Sequence, residues 1–334
     1  LICFAVVLNI ASVSSLHAAE ISLNDALQEA ESYSPKLKSA SLQTKAAEQN
    51  ERDARAGYLP TVDLAFIGSD GSPGSFAFLG VDNNISAADR IGEGGAATVR
   101  QTIWDFGRTS NAINSATAER DFQNVSASLS LSEVDLQVLN VYLTCSFLKS
   151  AISDAAFTAN QAKLIAAETS NYVRSGQRSV IEKFLVDAQA KEAETLGAEL
   201  TARIDNVEQR LGMLIGRPNG EKVSCPNLSK PEAEIQKLEK STRRSPILDV
   251  FLASSKVAKF RLEQAKSEEN PMLFALATGG YFHDIQMKDG WNYSAGVALT
   301  FPLFDGFHRD ARIEFQKAES ESRDALIDYS KQIV

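Results

Sequence analysis

The sequence predicts an α+β membrane protein: a long α-helical coiled-coil tunnel, with four β-strands per chain that contribute to a shared trimeric 12-stranded transmembrane β-barrel. Three observations predict it. The chain is internally duplicated, each copy carries a pair of strands with alternating apolar residues, and 66 residues from Thr109 to Arg174 run without proline or glycine. Composition sets the frame: 334 residues are 44% hydrophobic and 23% charged, with a net charge of −9. Such values exclude a disordered chain and a polytopic helical membrane protein. The acidic balance, with no Lys/Arg block, disfavours nucleic acid as a partner because phosphate binding needs a positive surface.

Residues Leu1 to Leu16 are uncharged and apolar and run into His17-Ala18-Ala19-Glu20. This is the h-region and cleavage end of a secretory signal peptide over 1–19; an uncleaved anchor is the alternative, but sixteen residues are short for a span. Cys3 lies upstream of the cut, so it is not a lipid-attachment cysteine. The remaining Cys145 and Cys225 stand 80 positions apart, which is neither a disulfide framework nor a metal-binding spacing. Because the chain opens at Leu1 and stops at Val334 inside a helical pattern, a fragment is expected.

The duplication orders the rest. Tyr33-Ser34-Pro35-Lys36-Leu37 matches Arg244-Ser245-Pro246-Ile247-Leu248 at an offset of 211, and Pro60 matches Pro271 at the same offset. Trp104-Asp105-Phe106-Gly107-Arg108 pairs with Phe304-Asp305-Gly306-Phe307-His308-Arg309 at an offset of 200, so the second copy carries a shorter loop between its strands. Repeat 1 spans 20–220, with helices over 22–33 and 35–56, strands over about 58–68 and 95–104, and helices over 109–174 and 180–215. A linker over 221–228 precedes repeat 2 (229–334), with helices over 230–244 and 246–268, strands over about 271–282 and 291–303, and a helix over 308–334. Ser22-Leu-Asn-Asp25 and Ser229-Lys-Pro-Glu232 are helix-start signals, and Pro35 and Pro246 interrupt each first helix.

Val62, Leu64 and Phe66 alternate with Thr61, Asp63 and Ala65; Ala295, Val297, Leu299 and Phe301 alternate with Ser294, Gly296, Ala298 and Thr300. The offset puts Ala97, Val99 and Ile103 on the corresponding face, with Gln101 the exception. Tyr281, Trp291 and Tyr293 cluster at the loop side of the strands, and Trp104, Phe106, Phe301, Phe304 and Phe307 at the helix side. Two aromatic belts fit a membrane barrel, but strand pattern alone fits a soluble sheet with core aromatics equally well.

The long helix separates the two. It carries one apolar seam through Phe122, Val125, Leu129, Leu136, Leu139 and Leu143, and another through Leu131, Val134, Val138, Val141, Cys145, Leu148 and Ile152. In a 3.5-residue repeat the seams lie roughly 150° apart, so the helix needs a neighbour on each side, as in the wall of a cylinder. Cys145 falls inside a seam and reads as a packed small hydrophobe. The return helix has its own seam, through Val186, Ala190, Ala193, Gly197, Leu200, Ile204, Val207, Leu211 and Leu214. Four strands cannot close a barrel, and an open edge in hydrocarbon leaves backbone groups unpaired; three chains giving twelve strands is the simplest open solution.

Several stretches together resemble the outer membrane efflux family, the TolC-like channels of Gram-negative bacteria. They are Ala54-Arg-Ala-Gly-Tyr-Leu-Pro60, Gln101-Thr-Ile-Trp-Asp-Phe-Gly107 with Phe301-Pro-Leu-Phe-Asp-Gly306, Tyr172-Val-Arg-Ser-Gly176 with Ser179 to Gln189, and Leu211-Gly-Met-Leu-Ile-Gly216. The resemblance implies a homotrimer with its barrel in outer-membrane lipid and its tunnel in the periplasm. It implies a passive exit duct for type I protein secretion or multidrug efflux, worked by a periplasmic adaptor and an inner-membrane ABC or proton-driven transporter; the two strand-flanking motifs lean toward secretion. Gly176, Gln177, Arg178, Ser179, Val180, Phe184 and Leu185 match the tunnel-tip turn where an adaptor docks. Pro60, Trp104, Asp105, Gly107, Pro271, Pro302, Asp305 and Gly306 mark the barrel–tunnel junction, and Val62, Leu64, Phe66, Val297, Leu299 and Phe301 are expected to face lipid. The internal comparison leaves about 80 residues of a second hairpin, with its gate, beyond Val334.

The alternative is a periplasmic coiled-coil adaptor, which would share the helices but not need duplicated strands with aromatic belts. An enzyme finds no support: His17, His283 and His308 are scattered, the glycine run 68–74 reads as a loop, and Ser146-Phe-Leu-Lys149 lies mid-helix without companion motifs. No cofactor is implied.

Overall fold

The computed structural model describes residues 20–70, 91–217, 223–226, 246–284 and 290–333. In chain order these form α1 (Leu23–Tyr33), α2 (Pro35–Ala56), β1 (Thr61–Asp70), β2 (Ile91–Trp104), α3 (Arg108–Arg174) and α4 (Val180–Leu214). There follow α5 (Pro246–Ser267), β3 (Met272–Asp284), β4 (Gly290–Thr300) and α6 (His308–Ile333). The signal sequence expected over 1–19 and the helix expected over 230–244 lie outside the described residues.

Local chemistry sets the starts of these elements. Ser22 caps α1, its Oγ accepting from the Asp25 amide at 3.2 Å while donating to the Asp25 carboxylate at 2.7 Å. Pro35 and Pro246 stand at the first positions of α2 and α5, where a missing amide hydrogen costs nothing. The four strands make one antiparallel sheet in the order β1-β2-β3-β4, so the hairpins of the two repeats join side by side along β2 and β3.

The described residues form two compact units that cut across the repeats: one comprises 20–39, 130–217 and 223–226, the other 40–70, 91–129, 246–284 and 290–333. In the first, the α3 seam of Val134, Val138, Val141, Cys145 and Leu148 is buried with Ala26 and Ala30 of α1 and Ile204 and Leu211 of α4. The opposite seam is less covered: Leu136 is 57% exposed, and Leu139 and Leu143 are half-buried.

Cys145 corrects the sequence reading. It is not simply a packed hydrophobe but forms a disulfide with Cys225, both residues fully buried. The bond closes a loop of 80 residues, which in the chain-entropy picture removes about 4.5 kcal/mol of unfolded-state freedom. It ties residues 223–226 to α3, beside a parallel bridge between Glu20 and Ser224. The same place holds the start of the described chain, where the Ile21 amide donates to the Ser224 carbonyl at 3.0 Å and the Tyr142 hydroxyl donates to the Ile21 carbonyl at 3.2 Å.

In the second unit, charge links the helices. Glu51 of α2 is buried and accepts from Arg55 at 2.7 Å and from Arg120 of α3 at 2.6 Å. Arg120 also donates to Asp121, which meets Lys256 of α5 at 3.5 Å. Arg261 of α5 pairs with Glu119, and Asp324 of α6 accepts from Ser255 and Lys259 of α5. Hydrogen bonding from Arg55, then the charge of Arg120, outweighs burial and holds Glu51 below its ordinary 4.5. Arg120 does the same for Asp121.

Both shifts are downward, so this stabilisation is complete above the unfolded carboxylate values and is lost as pH falls through the lower folded ones. Glu51→Ala should therefore cost about 1–2 kcal/mol at neutral pH. Below about pH 4 the gap between wild type and variant should narrow in urea titrations.

Candidate functional site

The sheet has two faces of different chemistry, and register assigns every strand residue to one of them. On one face Phe66 stands opposite Gly95, Gly95 opposite Tyr281, and Tyr281 opposite Trp291, making one cross-sheet row. The Phe66 ring lies over Gly95, where a Cβ would come within 2.7 Å of it, and Tyr281 meets Trp291 edge to face at 5.8 Å. Below run Leu64, Ala97, Gly279 and Tyr293, then Val62, Val99, Ala277 and Ala295. The face is uncovered: Val62 is 67% exposed, Phe66 80%, Trp291 81% and Val297 66%, with Leu64 and Leu299 alike.

The other face is mixed: it carries Thr61, Asp63, Thr98, Arg100, Thr278, Asn292, Ser294 and Thr300 together with Ala65, Ala96, Met272, Phe274 and Leu276. Thr98 and Thr278 share a hydroxyl bond at 3.2 Å, and the Arg100 guanidinium stacks 4.5 Å from the Phe274 ring centre. Gln101, the polar residue in the apolar row, turns its amide back to donate to the Tyr58 and Thr102 carbonyls.

Trp104 differs from simple alternation. A bulge between Thr102 and Trp104 makes Trp104 the partner of Leu273, which pairs with Leu299 on the apolar face. The extra residue, Ile103, re-aims the indole. Trp291 and Leu299 thus mark opposite ends of the band, eight residues or about 26 Å apart along β4 at roughly 3.3 Å per residue. The outer strands β1 and β4 each have one neighbour in the sheet.

Pro60 and Pro271 immediately precede β1 and β3, and Pro302 follows β4. The two strand exits are built alike. Asp105 accepts from the amides of Gly107 at 3.1 Å and Thr109 at 2.7 Å; Asp305 accepts from His308 at 3.1 Å and Arg309 at 3.2 Å. Between each aspartate and its helix stand two residues of positive φ, Phe106 (50°) and Gly107 (92°) in one copy, Gly306 (72°) and Phe307 (67°) in the other. A phenylalanine there is strained by about 1–2 kcal/mol. In each copy its ring meets the preceding aromatic edge-on: Trp104 with Phe106 at 6.0 Å, Phe304 with Phe307 at 5.5 Å.

At the α3–α4 turn the Gln177 amide donates to the Tyr172 carbonyl at 2.8 Å and the Gly176 amide to Val173 at 3.1 Å, with Gly176 at φ 74°. That is a Schellman ending, which glycine adopts without penalty. Ser179 then caps α4 through the Ile181 amide at 3.2 Å, and Arg178 pairs with Glu182 at 3.7 Å. Val180, Phe184 and Leu185 are 55%, 67% and 61% exposed. Ile181, absent from the expected set, is 78% exposed and belongs with them by its i+3 and i+4 spacing to Phe184 and Leu185.

Ser146 and Lys149 do not work as a pair. Ser146 is buried, while Lys149 is engaged by Ser224 and by Glu20 at 3.6 Å. Among the described residues no cluster of metal-ligating side chains converges, and no helix is long and apolar enough to cross a membrane.

Comparison of the backbone with solved structures finds the outer membrane protein VceC of Vibrio cholerae at a TM-score of 0.76 and 16% identity, covering 92% of this chain and 75% of that one. The CmeC outer membrane channel of Campylobacter jejuni aligns at 0.75 and 13% identity, over 93% of this chain and 68% of the other. The chain has the TolC-like channel fold. Neither channel is close in sequence, so this likeness rests on backbone geometry. Protein CyaE of Bordetella pertussis is 25% identical over 329 residues, a match that takes in 93% of this chain and 66% of that protein's length. No protein-family model matches the sequence. The TolC-like fold accounts for the duplicated strand exits, since both repeats must pass from a sheet into a helix.

Asp105 is 6% exposed, so Asp105→Ala should strand the Gly107 and Thr109 amides. A loss of about 1–2 kcal/mol is expected in thermal melts, with Asp105→Asn recovering part of it.

Proposed function

We propose that the chain is one third of a homotrimeric outer-membrane exit duct, a passive channel for protein secretion or drug efflux. One observation carries the reading: a four-stranded sheet with one face apolar and uncovered, bounded by aromatic residues at both ends, and with an open strand at each side. In water that face would be an aggregation hazard; against lipid it is the outer wall of a barrel. Strands of 10, 14, 13 and 11 residues suit tilted membrane spans, which need about 9–11.

The open edges favour closure by further copies, since β1 and β4 must find partners before the sheet can sit in hydrocarbon. Three chains supply twelve strands, with the threonine-rich face, Asp63 and Arg100 turned to an aqueous lumen. The exposed Val180, Ile181, Phe184 and Leu185 offer an apolar patch beside Arg178 and Lys183, a surface for the hairpin of a periplasmic adaptor. Energy would come from an ABC or proton-driven transporter in the inner membrane, because the described residues hold no nucleotide cradle.

Fractionation followed by unheated gel electrophoresis tests the reading: an outer-membrane oligomer is expected, and a monomer in the soluble fraction would overturn it. Deleting the gene should abolish a secreted protein or raise drug sensitivity, and which of the two changes identifies the cargo. Val297→Lys should destabilise the oligomer by about 2–4 kcal/mol, whereas Ser294→Lys, on the opposite face of the same strand, should cost less than about 1 kcal/mol. Phe184→Glu should reduce crosslinking to the adaptor by about tenfold while leaving the oligomer intact.

A further inference from the structure

We propose that the Cys145–Cys225 disulfide is an oxidative checkpoint on assembly: it forms before the helical core closes, and it keeps the single chain folded until it meets other copies. The inference rests on the reading above that the chain is exported to an oxidising compartment and oligomerises there.

Both cysteines are 0% exposed and sit in the core with Val138, Val141 and Leu211. Neither a thiol oxidant nor a reductant reaches sulfur in the closed core, so the bond must be made while α3 and residues 223–226 are still accessible. The chemistry is exchange with a disulfide-bonded thiol oxidoreductase. One cysteine thiolate attacks the donor disulfide to give a mixed disulfide, and the second thiolate displaces the donor sulfur. The two cysteines give up two electrons and, through water, two protons to the donor, which leaves as a dithiol.

What the bond holds explains why it matters before assembly. Among the described residues, the segment 223–226 is tied to its surroundings by the bond from the Ile21 amide to the Ser224 carbonyl, the bond from Lys149 to the Ser224 hydroxyl, and the buried Val223. Those contacts are few for a segment that also pins the start of the described chain. Meanwhile Leu136, Phe147, Phe157 and Leu164 of α3 are more than half exposed among the described residues, apolar surface that burial in the assembled duct would stabilise. A subunit of an obligate oligomer is least stable when dilute, and a covalent closure of the 80-residue loop acts at any concentration.

The test uses the full chain expressed at low and high levels, wild type beside Cys145→Ala/Cys225→Ala, with the unheated oligomer in the outer membrane as readout. The double variant should give at least about tenfold less oligomer at low expression, with the deficit shrinking at high expression. Equal yields at both levels would overturn the proposal, as would an equal deficit at both. A second measurement avoids a variant: wild type unfolded in urea should reassemble in detergent only when refolded without dithiothreitol. The assembled oligomer should survive the same reductant and take up no maleimide at Cys145 or Cys225 until it is denatured in that reductant. Reassembly in reductant, or labelling of the native oligomer, would refute the order of events. If wild type forms no oligomer under any condition, the exit-duct reading fails instead, so the two failures are distinguishable.

Discussion

The open edges of the four-stranded sheet are the constraint on which the rest depends. Among the described residues β1 and β4 each present a row of backbone donors and acceptors without a partner strand, on a sheet whose apolar face is bare. Such a sheet is unstable alone in water and impossible alone in lipid, because unpaired backbone groups in hydrocarbon cost several kcal/mol each. Its strand lengths, aromatic rows and alternation are those that the proposed closed barrel would require. The α3 helix shows the same incompleteness, with one seam buried and the other left half-covered.

Duplication solves one local problem twice, with different residues in one detail. Each strand pair must hand over to a helix through a tight exit, and each uses an aspartate to hold the first free amides. The two residues of positive φ that follow are Phe-Gly in one copy and Gly-Phe in the other. The backbone path is thus preserved while the position of the aromatic ring moves by one residue. An edge-to-face contact forms in both cases, so the strain on Phe106 and Phe307 is offset by ring packing rather than avoided.

Much of this was legible in the sequence because it is periodic. Alternation put Val62, Leu64, Phe66, Val297 and Leu299 on one face, heptad spacing found the buried seam of α3, and Gly176 marked the turn. What escaped was not periodic. The Cys145–Cys225 bond joins a helix position to a linker position, and nothing in a separation of 80 says that the fold brings them together. The bulge at Ile103 shifts the pattern by one residue where the strand ends, so Trp104 changes face without leaving a trace in the alternation. The Glu51–Arg120–Asp121–Lys256 chain of charges crosses three helices, and its members look like any solvated helix surface until the helices pack.

The interactions divide by when they can form. Salt links among α2, α3, α5 and α6 and the buried disulfide are complete within one chain, and they need no neighbour. The apolar strand face, the open edges and the second α3 seam are left incomplete among the described residues. A subunit of the proposed exit duct, which would exist first as a dilute single chain and then close a barrel, would need both sets. Within the chain these directional links add to the apolar core of α1, α3 and α4, whose burial alone is non-directional and discriminates poorly between helix faces. Charge pairs and a covalent bond help fix which helices meet, while the apolar strand face stays bare. The ordinary composition agrees with that division, since the helices carry the charge pairs and the bare apolar face is confined to four strands.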